Sequence, residues 1–76
     1  MDPYGNASGE SGVVAYAIGP DWIDVEFQDG WIYRYTHAST GASHVEAMKQ
    51  FARAGRGLCT YISRNVGASY ESKFEA

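Results

Sequence analysis

The residues whose types and spacing first suggest chemistry are Arg34, Lys49, Arg53, Arg56 and Arg64. The chain carries a net charge of −3, but the charge is unevenly distributed. Six of nine acids lie at or before Asp29, and all six basic residues lie after it. Between residues 30 and 70, five cations face Glu46 alone, a local balance of +4. An acidic chain can carry a basic face in this way. Lys49, Arg53 and Arg56 are spaced by four and then three residues, which puts them on one stripe of a helix. Such a stripe can meet phosphates. Gly55 and Gly57 flank Arg56, and their open N–H groups can add to an anion site. The plainer alternative is a solvated helix face on which Glu46 pairs with Lys49.

Other constellations point nowhere so specific. His37, His44 and Cys59 are potential zinc ligands, but two histidines seven apart with a distant cysteine match no known metal spacing. A nucleophilic Cys59 needs a nearby base. Its place beside Leu58 reads instead as a small buried thiol. Asp24 and Glu26 alternate with apolar residues, so both point to one open sheet face. Paired carboxylates need a cleft and shifted pKa values to do acid–base work. No catalytic residue, metal or cofactor is expected, and the chain does not read as an enzyme.

Tyr33 and Tyr35 admit two uses. Rings on a sheet stack with bases in proteins that hold single strands. Rings beneath helices are core, and the strand register decides between the two. Asp29-Gly30 is followed by Trp31, Tyr33 and Tyr35 at alternating positions. A two-residue turn at Asp29-Gly30 would set Glu26 opposite Tyr33 and Val25 opposite Arg34, mixing charge with rings. A three-residue loop of Gln28, Asp29 and Gly30, with Gly30 left-handed, sets Phe27 opposite Trp31, Val25 opposite Tyr33 and Ile23 opposite Tyr35. On the other face Asp24 then meets Arg34. A slip of one residue exchanges the faces, so only the second register satisfies both. It makes the tyrosines core.

The remaining elements follow from pattern. Seventy-six residues make one small domain, which buries only about 60% of its extended surface. Residues 1–12 are rich in Gly, Ser and acids and read as a disordered tail. Val13 to Ile18 is the first strand, with Val14, Tyr16 and Ile18 on one face. Gly19-Pro20-Asp21 is a turn, and Ile23 to Phe27 is the second strand. Ser43-His44-Val45-Glu46 has the form of a capping box; a start one turn earlier, at Ser39 or Thr40, also fits. Val45, Met48, Phe51 and Ala52 form the apolar stripe of the first helix, which Gly55 and Gly57 end. Leu58 to about Asn65 is a second short helix, with Leu58, Tyr61 and Ile62 inward. Residues 67–76 read as a polar tail, with Tyr70 available as an anchor. The expected fold is α+β: a three-stranded antiparallel meander with two C-terminal helices on its apolar face. Its expected core is Ile23, Val25, Phe27, Tyr33, Tyr35, Val45, Met48, Phe51, Leu58 and Ile62.

In order and spacing these residues resemble the KTSC family, small domains found at the C-terminus of some lysyl-tRNA synthetases and as short bacterial proteins. The likeness covers residues 13–66. It rests on the Tyr33-Arg34-Tyr35 step, the preceding Ile23, Val25, Phe27 and Asp29-Gly30, and Gly55 followed seven residues on by Ile62. The chain departs from that pattern at Ala38-Ser39-Thr40-Gly41, where the family has a Val-Pro step. It departs again at Cys59, where asparagine is common, and at Gly57 and Leu58, which replace aromatics. The resemblance implies an RNA-binding accessory role, by association with a synthetase.

Two functions are therefore expected as alternatives. In the first, Lys49, Arg53, Arg56 and Arg64 meet RNA phosphates while Arg34 or an exposed ring stacks on a base. In the second, the chain binds a protein or a second copy of itself through a sheet edge, with Trp22 and Trp31 as exposed anchors. The single cysteine fits a reducing compartment. The N-terminus lacks the basic-then-apolar pattern of a signal peptide, and the longest apolar run, Val13 to Ile18, is too short to span a membrane. A cytoplasmic location is expected. The Asn6-Ala7-Ser8 glycosylation pattern carries no weight there.

Overall fold

The computed structural model describes residues 1–5 and 12–76, so the Asn6-Ala7-Ser8 pattern lies outside the described residues. The chain is α+β. Its sheet has five antiparallel strands in sequence order: β1 (Asp2–Pro3), β2 (Val13–Ile18), β3 (Trp22–Phe27), β4 (Trp31–Thr36) and β5 (Ser72–Glu75). Between β4 and β5 come α1 (His37–Thr40), α2 (Ala42–Ala54), α3 (Leu58–Tyr61) and a π-helical turn (Ile62–Val66). The expected meander is present as β2–β4, extended by one strand on each side.

The β3–β4 hairpin has the register that satisfies both faces. Ile23 pairs with Tyr35, Val25 with Tyr33 and Asp24 with Arg34. Gly30 sits at φ +89° in the loop, where a side chain would be strained. The Gly30 N–H donates to the Phe27 carbonyl at 3.0 Å and closes the turn. Ile23, Val25 and Tyr35 are fully buried beneath the helices, and Phe27 and Tyr33 pack at the edge of that core.

The first full strand departs from simple alternation. A bulge lies between Val13 and Ala15, so Val13 pairs with Phe27 while Tyr16 pairs with Val25. Val13 is 1% exposed and Val14 38%. The inward residues are Val13, Tyr16 and Ile18, not Val14. An extra residue in a strand shifts the faces in this way, and no sequence alternation announces it.

Both presumed tails contribute to the fold. Asp2 and Pro3 pair with Tyr16 and Ala15, and the Tyr4 N–H donates to the Val14 carbonyl at 3.0 Å. Tyr4 is buried within the core, and its hydroxyl accepts the Leu58 N–H at 3.2 Å. Next to it Gly5 crosses Gly55 so closely that a Cβ on Gly55 would lie 3.1 Å from the Gly5 Cα. At the other end β5 pairs with β4, setting Phe74 beside Ile32 and Lys73 beside Tyr33. Tyr70 anchors this return as edge-to-face partner of Tyr33 and Tyr35, with ring centroids 4.9 and 6.3 Å away. The reading of residues 1–12 as a disordered tail therefore fails at 2–4, and residues 67–76 are no loose tail. The edges of β2 and β4 are occupied; β1 and β5 are the outer strands.

The helices begin and end differently from the sequence reading. The capping box is Thr36 with Ser39, at the start of α1, not Ser43 with Glu46. Gly41 precedes α2 with no side-chain cap, and Glu46 turns to Lys49 and His37. Val45, Met48 and Ala52 are buried as the stripe requires, with Phe51 partly covered. Gly55 ends α2 in the left-handed conformation at φ +73°. Leu58, Ile62 and Val66 are all buried, in steps of four. An α turn falls short of a four-residue step and a π turn exceeds it, so the change of helix type keeps all three facing the sheet.

Tyr4→Phe should lower the unfolding free energy by about 1–3 kcal/mol, because it leaves the Leu58 N–H buried without an acceptor. Removing residues 1–5 should cost more, since the ring goes too. Urea denaturation of the three proteins checks this; equal midpoints would mean that the N-terminal segment is no part of the core.

Candidate functional site

The helical layer carries the charge imbalance into three dimensions. From His37 to Tyr70, four cations (Lys49, Arg53, Arg56, Arg64) stand against Glu46. Glu46 is itself neutralised: one carboxylate oxygen lies 2.7 Å from Lys49 Nζ and 2.9 Å from His37 Nε2. Hydrogen bonds from Lys49 and then His37 hold its pKa below the ordinary carboxylate value.

The five predicted phosphate ligands separate into two groups. Lys49 is 3% exposed, and its ammonium is spent on Glu46 and on the Pro20 carbonyl at 3.1 Å. It ties α2 to the β2–β3 turn and is unavailable to a ligand. Helical spacing placed it on the stripe of Arg53, but position 49 borders the apolar face, and its stem is drawn into the sheet–helix seam. Arg34 is also engaged. Its Nε and Nη2 donate to the two oxygens of Asp24 at 2.7 and 2.9 Å, and the guanidinium lies over the Trp22 ring at 4.5 Å. The bond to Asp24 raises the arginine pKa further. Arg53, Arg56 and Arg64 are exposed. Arg53 ends α2, Arg56 lies between two left-handed glycines, and Arg64 is on the π-helical turn.

Rings accompany these arginines on the same layer. His44 Nδ1 lies 2.7 Å from the Tyr61 hydroxyl, and the Phe51 ring is tilted against Tyr61 at a centroid distance of 5.2 Å. Gly57 abuts Phe51: a Cβ there would sit 3.1 Å from the ring. All three rings are partly exposed. The sequence reading assigned Phe51 to the core and set His44 aside; the signal that joins them is the spacing of seven, two turns along one helix face.

Trp22 and Trp31 are not bare anchors. Trp22 is roofed by Arg34 and packs so tightly on Gly19 that a Cβ there would fall 2.0 Å from the indole. The Lys73 ammonium lies 5.2 Å over the Trp31 ring. The more open apolar side chain of the sheet is Phe74, 42% exposed. Among the described residues no group of three or more His, Cys, Asp or Glu is placed to hold a metal. No helix there is long and apolar enough to cross a membrane. Cys59 is partly buried against the core.

A cleft of about 250 Å³ opens at the hairpin end, lined by Phe27, Asp29, Tyr33, Tyr35, Ile62 and Gly67. Burial holds the Tyr35 hydroxyl protonated well above the ordinary phenol range, with Tyr33 and Tyr70 adding to the shift. No family model, curated protein or solved structure matches the chain.

The lowered pKa of Glu46 has a stability consequence of fixed sign. Its contribution is complete above the ordinary carboxylate value of 4.5 and is lost as pH falls through the lowered folded-state value. Glu46→Gln should flatten the acid limb of the stability–pH curve and leave the slope above about pH 6 nearly unchanged, to be read from denaturation midpoints across the acid range. An unaltered acid limb would place the linkage elsewhere.

Proposed function

We propose that the protein is a non-catalytic binding module that takes single-stranded RNA on its helical layer. The observation that carries this is the set of three exposed arginines, Arg53, Arg56 and Arg64, on a layer whose one carboxylate is already paired. A phosphodiester backbone is the natural counter-charge for such a surface. The partly exposed rings of His44, Phe51 and Tyr61 supply faces on which bases stack. The likeness to KTSC domains, which accompany a tRNA synthetase, supports the same assignment. Lys49 and Arg34 leave the earlier ligand set, the first as a buried tie and the second as the partner of Asp24. The proposed compartment is the cytoplasm, where an unpaired thiol such as Cys59 stays reduced.

A second reading, self-association or protein binding through a sheet edge, now concerns β5. Phe74 is exposed beside Ile32 on that strand. Lys73 lies in the same strand, a feature that discourages edge pairing. Trp22 and Trp31, each covered by a cation, leave the anchor role to Phe74 in this reading.

Three neutralised phosphates give a slope of log K against log salt of roughly −2 for a single strand. Fluorescence titration of a short single-stranded RNA at several salt concentrations measures it. Replacing any one of the three arginines by Gln should weaken binding several-fold and reduce the slope, and Phe51→Leu should weaken it with the slope unchanged. Absence of binding at low salt removes the proposal. A dimer mass lost on Phe74→Ser would favour the second reading.

A further inference from the structure

The cleft at the hairpin end is remote in character from the cationic layer. Its walls are rings and its charge is negative. Phe27 and Tyr33, which both line it, stand nearly perpendicular, at 81° with centroids 5.3 Å apart, and form a corner. Tyr70, outside the lining, packs edge-to-face on Tyr33 and Tyr35. A base needs a slot between parallel faces, whereas a compact, rounded group fits a corner of rings. Asp29 supplies the charge at this corner. One of its oxygens accepts the Trp31 N–H at 3.1 Å, which fixes the carboxylate in the loop. Its other oxygen has no partner among the described residues.

These rings already attract a cation. The Lys73 ammonium lies 5.9 Å from the Tyr33 ring and 5.2 Å from that of Trp31. Lys73 is exposed on the outer strand, and no carboxylate among the described residues forms an ion pair with it. The far side of the cleft is a closed backbone turn. Ile62 and Gly67 bracket the π-helical turn, which the Gly67 N–H closes by donating to the Ile62 carbonyl at 2.7 Å. Gly67 has φ +44° and ψ −113°, open to glycine. On that side the rim is a hydrogen-bonded turn facing the rings.

We propose that this cleft binds a small organic cation, of the methylated-ammonium class, held against Phe27 and Tyr33 above the buried Tyr35 and neutralised by Asp29. Ring faces attract cations electrostatically, most strongly for groups that shed water easily, and quaternary ammonium is the leading case. A volume of about 250 Å³ admits such a headgroup. Lys73 is a positive charge beside the Tyr33 ring, so its removal strengthens the site. This sign separates a cation site from an anion site, where Lys73 would help and Asp29 would hinder.

The test uses choline and its uncharged carbon isostere, 3,3-dimethylbutanol, titrated into the full chain and followed by NMR. Saturable shifts of the Tyr33 and Tyr35 ring protons are expected with choline, and binding of the isostere about tenfold weaker. Asp29→Asn keeps the acceptor for Trp31 and should weaken choline several-fold; Lys73→Gln should tighten it. Tyr33→Leu should abolish binding, and its amide spectrum shows whether the fold survives. Equal affinity for the isostere, tightening by Asp29→Asn, or no saturation where a Kd of about 10 mM would register overturns the proposal. Arginine variants on the helical layer should leave the choline titration unchanged, so this result stands or falls apart from RNA binding.

Discussion

The register of β3 against β4 is the constraint on which the rest depends. It is fixed from three directions at once. Gly30 sets the length of the loop, the rings opposite Ile23 and Val25 must face the helices, and Asp24 must face Arg34. The ionic pair is bidentate and its carboxylate is almost buried, so a slipped register would leave that charge without a partner. The same slip would move Tyr35 from the core to water. Each face therefore forbids the error that the other would permit, and β2 and β5 inherit their positions from this hairpin.

The hairpin was legible in the sequence because its determinants are local. Period-two alternation, a polar-glycine loop and one charge on each strand lie within fourteen residues, Trp22 to Tyr35. The apolar stripe of α2 was legible for the same reason. What escaped depends on distant contacts. Tyr4 is one ring in a polar stretch, and only its meeting with Leu58, 54 residues away, makes it core. β5 is a strand of exposed residues held by backbone bonds to β4, with no alternation of its own to read. The β2 bulge and the π-helical turn each displace a pattern by part of a turn or one residue, and both are settled by the surface they pack against.

The charged residues show the limit of reading stripes. Lys49 and Arg53 share a helical stripe, yet one is buried and the other is open. The difference is the turn at Pro20, whose carbonyl receives the Lys49 ammonium. A stripe gives the direction of a side chain from the helix axis, not what the neighbouring layer places in its path. Arg34 lies on the outer face, as the hairpin register requires, but its bond to Asp24 and its seat on Trp22 spend the guanidinium that base stacking needs. The candidates that stay exposed, Arg53, Arg56 and Arg64, lie near helix ends and turns.

A net charge of −3 and the proposed anion-binding face are compatible because the charges are layered. The acids Asp21, Asp24, Glu26 and Asp29 belong to the sheet and its loops, and the exposed arginines Arg53, Arg56 and Arg64 to the helical segment. A helix with its side chains is about 10 Å thick, and the Debye length at physiological salt is about 8 Å. One layer of protein therefore stands between the two signs, and the solvent path around it is about a screening length or more. A phosphate brought to the proposed RNA site would feel Arg53, Arg56 and Arg64 more than the acids behind them, and a cation brought to the proposed cleft would feel Asp29 more than the arginines. At low salt the fields would overlap and each face would weaken the other. The two proposed sites on so small a domain are thus kept apart by distance and by salt in the surrounding solvent, and the sheet that fixes the hairpin also supplies the partition.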